Sequence, residues 1–305
     1  MTDRNCFCEN LKAALPNTEL RFGEPLARHT SFRIGGPAQA VAFPKNGEEL
    51  SRCLKAAKEL GVRPRILGAG TNILAPDDGV DGLIICLKEN FDGMEQVDST
   101  HIRVMSGVTM TRAAVFAANL GLSGLEFAHG IPGTVGGGVY MNAGAYGGEI
   151  CQVCSRVAVM DFDGGIREIP GSEMDFSYRH SRLETEPGIV VWAEFDLIPA
   201  EPETVKEKMR ELMAKRKASQ PLDLPSAGSA FKRPVGGYAA ALIDQAGLKG
   251  FQIGGAAVSE KHAGFAVNLG GATAADVLAL LEQVSDKVFE NSGIRLEPEI
   301  RLWKA

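Results

Sequence analysis

The residues grouped for chemistry are mostly glycines. Gly68-Ala69-Gly70-Thr71-Asn72 follows the apolar run Arg65-Ile66-Leu67. A strand running into G-x-G suggests a dinucleotide fingerprint, but the third glycine of that motif would fall at Ile73. No helix pattern follows either, because Ala75 to Gly79 reads as a turn. Two readings remain: a plain tight turn, or a nest of backbone N–H groups for an anion, with Thr71 and Asn72 adding donors. A second group, Gly130 to Gly138, holds five glycines in nine residues and continues through Asn142, Gly144 and Ala145 to Gly148. Each glycine costs about 1 kcal/mol relative to alanine inside regular structure. Interleaved Ile131, Val135, Val139, Tyr140 and Met141 are unlike a Ser/Gly linker. Close packing of backbone on a large flat ligand is the simplest reason for such a run.

Three polar groups stand apart. Tyr178-Arg179-His180-Ser181 presents an arginine, the planar two-pronged partner of a carboxylate, although in isolation a surface ion pair is the simpler reading. Ser229 lies between Gly228 and Ala230 and close to Lys232 and Arg233, as an exposed hydroxyl donor in an anionic site would. It is not a nucleophile elbow, since Phe231 occupies the last glycine position of G-x-S-x-G. Glu297 and Glu299 flank Pro298 and in extended chain share a face, as catalytic carboxylates or as a solvent-facing edge pair. Cys151 and Cys154 have redox or zinc spacing, but no second pair or histidine cluster completes a site. The five histidines (His29, His101, His129, His180, His262) form no metal motif, so no metal is expected.

Periodic apolar residues supply the elements that must hold these groups. Residues 1–22 read as an amphipathic segment with Leu11, Ala14, Leu15 and Leu20 on a stripe. Leu50, Cys53, Leu54, Ala57 and Leu60 predict a helix over 47–60, closed by Gly61. Further helices are predicted over 111–120, 204–219, 238–246 and 273–290. Strands are predicted over 65–67, 83–87, 102–105, 153–162, 166–169, 189–198, 256–258, 266–268 and 299–303. The order is α+β, with a candidate boundary between Pro199 and Thr204.

Composition narrows the class. The chain has 305 residues, 45% hydrophobic and 23% charged, which excludes a disordered polyampholyte. Its 36 glycines have no G-X-Y period, which excludes collagen. A net charge of −6 argues against non-specific nucleic-acid binding. No apolar run reaches the length of a membrane span, and the first 20 residues contain no secretory apolar region. A cytoplasmic location with reduced cysteines is the expectation.

Taken together, the segments His29–Ala38, Ile66–Leu74, Gly130–Gly148, Tyr178–Ser181, Gly228–Arg233, Val258–Gly264 and Leu296–Glu299 resemble one family in order along the chain. That family is the UDP-N-acetylenolpyruvoylglucosamine reductases of peptidoglycan synthesis. The span from Arg182 to Val190 leaves no room for the tyrosine-bearing loop of the family's longer form, so the chain is similar to the shorter type. It departs at Arg233, where many members have asparagine.

The resemblance implies an α+β fold with a vanillyl-alcohol-oxidase-type FAD-binding domain in two subdomains and a smaller α+β substrate domain. The implied division is 1–203 (about 1–88 and 89–203), 204–294, and a C-terminal strand over 295–305 that contributes a catalytic glutamate. FAD and NADPH are the implied cofactors. Gly68, Ala69, Gly70, Thr71, Asn72, Gly130, Pro132, Gly133, Thr134, Gly136, Gly137, Asn142, Gly144 and Ala145 would lie at the FAD. In the implied reaction, hydride from flavin N5 reaches the terminal enolpyruvyl carbon and Ser229 supplies the proton, giving UDP-N-acetylmuramate. Arg179 and Glu299 would stabilise the charge that develops beside the carboxylate. Tyr178, Lys232, Arg233, Tyr238 and His262 would contact the UDP-sugar. No nucleic-acid or membrane partner is implied, and a monomer is expected. Two alternatives stay open at this point: another flavoenzyme of the same fold, such as an oxidase, and a non-catalytic nucleotide-sugar binder.

Overall fold

The computed structural model describes residues 4–88 and 90–304. Residues 1–3 of the expected N-terminal segment, and the residue at the expected 88/89 subdomain break, lie outside the described residues. The chain forms two compact units. The first comprises residues up to Phe22, Ala40–Ala69 and Gly82–Arg216. The second comprises Gly23–Gln39, Gly70–Asp81 and the segment from Lys217 onward.

In the first unit, helix α1 (Arg4–Ala14) and helix α2 (Gly47–Glu59) bury Leu11, Leu50, Cys53, Leu54 and Ala57. These residues share one core with Ala40, Ala42, Leu83 and Ile85 from the strands Pro37–Phe43 and Val80–Cys86. The strands belong to a four-stranded sheet in which Arg65–Leu67 runs parallel to Val80–Cys86. A β-branched run at Ile84 and Ile85 suits a strand with both faces covered.

The second core of this unit rests on a five-stranded antiparallel sheet. Its order is Ile166–Pro170, Cys154–Met160, Ile189–Asp196, His101–Met105 and Met94–Gln96. Helix α3 (Met110–Asn119) buries Ala113, Ala114, Ala117 and Ala118 against it. Helix α4 (Val135–Tyr140) follows, capped by Thr134, whose hydroxyl accepts from the Gly137 N–H. The sequence pattern did not predict α4, since three of its six residues are glycine. Thr134 and the buried Val135 and Val139 hold it in place. Helix α5 (Pro202–Ser219) buries Val205 and Met209 in the same core, so this unit extends past the proline-marked boundary to Arg216.

In the second unit, Ser226–Ser229, Phe265–Asn268, Ala256–Val258 and Gln252–Ile253 form an antiparallel sheet in that order. Helix α6 (Ala239–Gln245) and helix α7 (Ala274–Ser292) cover a core containing Ile243, Val277, Leu280, Leu281, Val284 and Val288. The α7 stripe is the one the periodicity predicted. Phe32, Ile34 and Leu74 join the same core from distant sequence. The Asp77 carboxylate accepts from the first free N–H groups of α7, Ala274 and Ala275, at 2.7 and 3.1 Å. Gly36 fits here because a Cβ on it would lie 2.0 Å from the Asp77 carbonyl.

Candidate active site

The second unit brings two of the expected catalytic residues onto adjacent chain segments. Ser229 ends the strand Ser226–Ser229 and pairs with Phe265. The Glu299 N–H donates to the Ala230 carbonyl at 2.9 Å, and Phe231 bridges Pro298. The Lys232 N–H donates to the Glu297 carbonyl at 2.9 Å. Residues 229–232 and 297–299 therefore run side by side although about 70 positions separate them. Ser229 and Glu299 are half-buried. The Lys232 ammonium stands 3.3 Å from the Glu297 carboxylate, with both side chains exposed. The resemblance implies a UDP-sugar contact for Lys232, and the carboxylate beside it in the structure is that of Glu297.

The other expected substrate contacts in this unit have visible partners. The Arg233 guanidinium lies 4.7 Å above the exposed Tyr238 ring. The His262 ring packs edge-on against Phe265 with centroids 5.0 Å apart. Its Nδ1 accepts from the Gly264 N–H at 3.1 Å, which leaves the proton of the neutral ring on Nε2. Burial holds this imidazole below its usual pKa. Of the first glycine group, Gly70, Thr71 and Asn72 lie in this unit. Gly70 is left-handed (φ 61°), and a Cβ there would meet the His29 carbonyl at 2.1 Å. The Asn72 carbonyl accepts from the Arg301 N–H.

The first unit holds Gly68, Ala69, the segment Gly130–Ala145 and the turn bearing Arg179. Gly68 is fixed by Thr134, whose Oγ1 would lie 2.5 Å from a Cβ at 68. Gly130 and Gly133 have φ of 89° and 130°, where a side chain is strained. Gly136 packs on Ser106, Gly138 on Met110 and Gly144 on Gly148 and Glu149, each too close for a Cβ. Gly137 differs. It is exposed, sits in a helix, and a Cβ there would meet only Thr134 Oγ1 at an ordinary 3.7 Å. Among the described residues nothing demands glycine at that position, and helix propensity opposes it. A large flat group lying against this segment would demand it. Pro132 and Gly137 face solvent and Ala145 is half-buried, so the segment has surface to offer such a group.

Asn142 departs from the expected cofactor contact. It is 1% exposed, and its amide is engaged by protein on both sides. Nδ2 donates to the Glu149 carboxylate at 3.1 Å and to the Ser177 carbonyl at 3.0 Å, while Oδ1 accepts from the Cys151 N–H at 3.0 Å. Ser177 and His180 exchange two backbone hydrogen bonds around Tyr178 and Arg179. Arg179 is left-handed (φ 55°) and half-buried, with its guanidinium 5.2 Å from the exposed Tyr178 ring. Buried Ser181 donates to the Tyr140 carbonyl at 2.8 Å. The sequence offered no signal for these Asn142 and Ser181 partners.

Cys151 and Cys154 are free thiols, and burial pushes the Cys154 thiol up to about 12. Among the described residues no cluster of potential metal ligands occurs, and no helix is long and apolar enough to cross a membrane.

Comparison with known proteins covers both halves of the chain. The family model for the C-terminal domain of UDP-N-acetylenolpyruvoylglucosamine reductase matches residues 220–303. That for an FAD binding domain matches residues 38–170. The UDP-N-acetylenolpyruvoylglucosamine reductase of Latilactobacillus sakei is 44% identical over 287 residues, covering 93% of each chain. That of Symbiobacterium thermophilum, reductase 2, is 46% identical over 284 residues, covering 93% of this chain and 92% of its own. The crystal structure of the reductase from Thermus caldophilus superposes with a TM-score of 0.80 at 37% identity, covering 94% of this chain and 99% of that one. The α+β fold class expected from the sequence stands, and the matched family model places an FAD binding domain in the N-terminal half. The chain belongs to the UDP-N-acetylenolpyruvoylglucosamine reductase family.

Proposed function

We propose that Arg179, Ser229 and Glu299 carry the reaction of this family in this chain. The chain is an FAD-dependent oxidoreductase that uses NADPH to reduce the enolpyruvyl ether of UDP-N-acetylglucosamine to UDP-N-acetylmuramate, in peptidoglycan precursor synthesis. The observation that carries this reading is the union of an FAD-binding domain and the reductase C-terminal domain in one chain.

Bound FAD, reduced by NADPH, supplies the hydride for the terminal enolpyruvyl carbon. Gly68–Asn72 and the glycine-rich segment Gly130–Gly137, with Gly144 and Ala145, are the residues proposed to hold it. As hydride arrives, charge develops on the neighbouring carbon and its carboxylate. Ser229 Oγ–H donates the proton to that carbon. A hydroxyl suffices there because the incipient carbanion is a far stronger base than water. Glu299 is held next to the Ser229 segment by its backbone bond to Ala230. There it shares a proton with the developing acid. Arg179 supplies a fixed guanidinium for the carboxylate. The resulting lactyl ether balances one hydride and one proton against the lost double bond.

Tyr178, Lys232, Arg233, Tyr238 and His262 are the proposed UDP-sugar contacts. The proposed ligand-binding division is 1–203 for FAD, 204–294 for substrate and 295–305 for the catalytic glutamate, which differs from the compact units in that the first of these runs on to Arg216. A cytoplasmic monomer without nucleic-acid or membrane partners completes the reading.

The test uses purified protein. The preparation is expected to show the flavin's visible absorbance, to bleach with NADPH without oxygen, and to recover on adding the enolpyruvyl sugar nucleotide. A colourless preparation that cannot be loaded with FAD, or recovery with oxygen but not with that substrate, overturns the reading.

A further inference from the structure

We infer that Asn142 is a positioning residue for Arg179, joining the turn that carries the guanidinium to the glycine-rich segment proposed to bed the cofactor. The inference rests on the reading of Arg179 as catalytic.

Arg179 sits in a conformation it does not choose. In the two-residue turn between Ser177 and His180 the second central position takes a positive φ, a place normally filled by glycine or asparagine. Arginine at φ 55° is strained and persists only where the surroundings over-determine it. Both ends of the turn are tied to the C-terminal end of α4 and the residues just beyond it. The Asn142 amide donates to the Ser177 carbonyl at one end. At the other end, the Ser181 hydroxyl donates to the Tyr140 carbonyl. That carbonyl belongs to the last turn of α4.

Asn142 is itself over-determined. It also has positive φ, at 42°, which asparagine tolerates better than most side chains. Its second amide hydrogen goes to Glu149 and its oxygen to the Cys151 N–H, so the amide cannot turn away from Ser177 without leaving buried groups unpaired. Nor has it a face left for a ligand. Asparagine here thus fixes the height and direction of the Arg179 turn relative to α4.

The test compares Asn142→Gly, which keeps the left-handed backbone and removes the amide, with Ser181→Ala and with Arg179→Ala. The expected result is that Asn142→Gly retains FAD and normal reduction by NADPH. Its reoxidation by the enolpyruvyl sugar nucleotide slows at least about tenfold, with the loss in the rate constant rather than in substrate affinity. In the Arg179→Ala background the same substitution has no further effect, because it acts through Arg179. Trypsin cleavage of the FAD-free chain after Arg179 rises in Asn142→Gly, a readout independent of the cofactor. An Asn142→Gly effect that is absent, or that persists undiminished with Arg179→Ala, overturns the inference while leaving the Arg179 reading intact. If Arg179→Ala alone leaves reoxidation unchanged, the Arg179 reading falls and takes this inference with it. Should Asn142→Gly not fold, Ser181→Ala decides by the same comparison.

Discussion

The Glu299 N–H donates to the Ala230 carbonyl at 2.9 Å, fixing a carboxylate beside the residue that follows Ser229. A backbone bond of this kind survives side-chain substitution. Ser229→Ala and Glu299→Gln are therefore expected to leave the fold and flavin reduction by NADPH unchanged. Each slows flavin reoxidation by the enolpyruvyl substrate about a hundred- to ten-thousand-fold. Stopped-flow absorbance separates the two half-reactions; a Ser229→Ala enzyme with both intact would remove Ser229 from the mechanism.

Gly137 makes a prediction with opposite signs for the two states. Gly137→Ala raises the stability of the FAD-free protein by up to about 1 kcal/mol, since helix propensity improves and a Cβ meets no obstacle. The same substitution weakens FAD binding, and Gly137→Glu abolishes FAD retention. Thermal melts of the FAD-free protein and flavin titration measure the pair. Unchanged affinity in Gly137→Glu would show that no cofactor lies against this residue.

Gly68 and Thr134 are expected to be strongly coupled. Gly68→Ala places a methyl 2.5 Å from the Thr134 Oγ1, a buried β-branched side chain that is also the α4 cap. A loss of about 1–3 kcal/mol follows from the overpacking. Adding Thr134→Ala relieves the clash, so the double variant is more stable than the two single losses sum to. Denaturant melts of the four proteins close the cycle.

His262 gives a pH dependence with a definite sign. Its folded pKa lies below the unfolded value of about 6.5 because burial disfavours the charged ring. The unfolded chain binds the extra proton, so the stability from this group is fully present above that value. It declines as pH falls through the folded pKa. His262→Gln can keep an acceptor for the Gly264 N–H and does not titrate. The variant's melting temperature is expected to fall less than wild type's between pH 7 and pH 5; parallel curves would exclude the assignment.

Long amphipathic stretches were legible from the sequence. The 273–290 expectation became α7 (Ala274–Ser292), because five apolar residues at helical spacing need one buried face. The helix then stops at Gly293, whose φ is 72°. Helix α4 was not legible, since its local composition argues against a helix and only its cap and two valines override that. The neighbourhood of Ser229 and Glu299 came from resemblance, as no local pattern encodes a pairing across about 70 residues. Asn142 was noticed for its place among glycines, but its role lies in three partners, two of them 9 and 35 positions away. Sequence spacing carries no trace of such hydrogen bonds.

The core that unites Phe32, Ile34 and Leu74 with Ala227 through Ile300 has a consequence during synthesis. The ribosome releases the phenylalanine early and the residues that cover it last. At bacterial-scale elongation the interval is on the order of tens of seconds. Throughout that time an apolar surface of the nascent chain has no native cover. Slowing translation beyond Arg216 should therefore increase the chain's dependence on holdase chaperones, whereas slowing it within residues 90–200 should matter less.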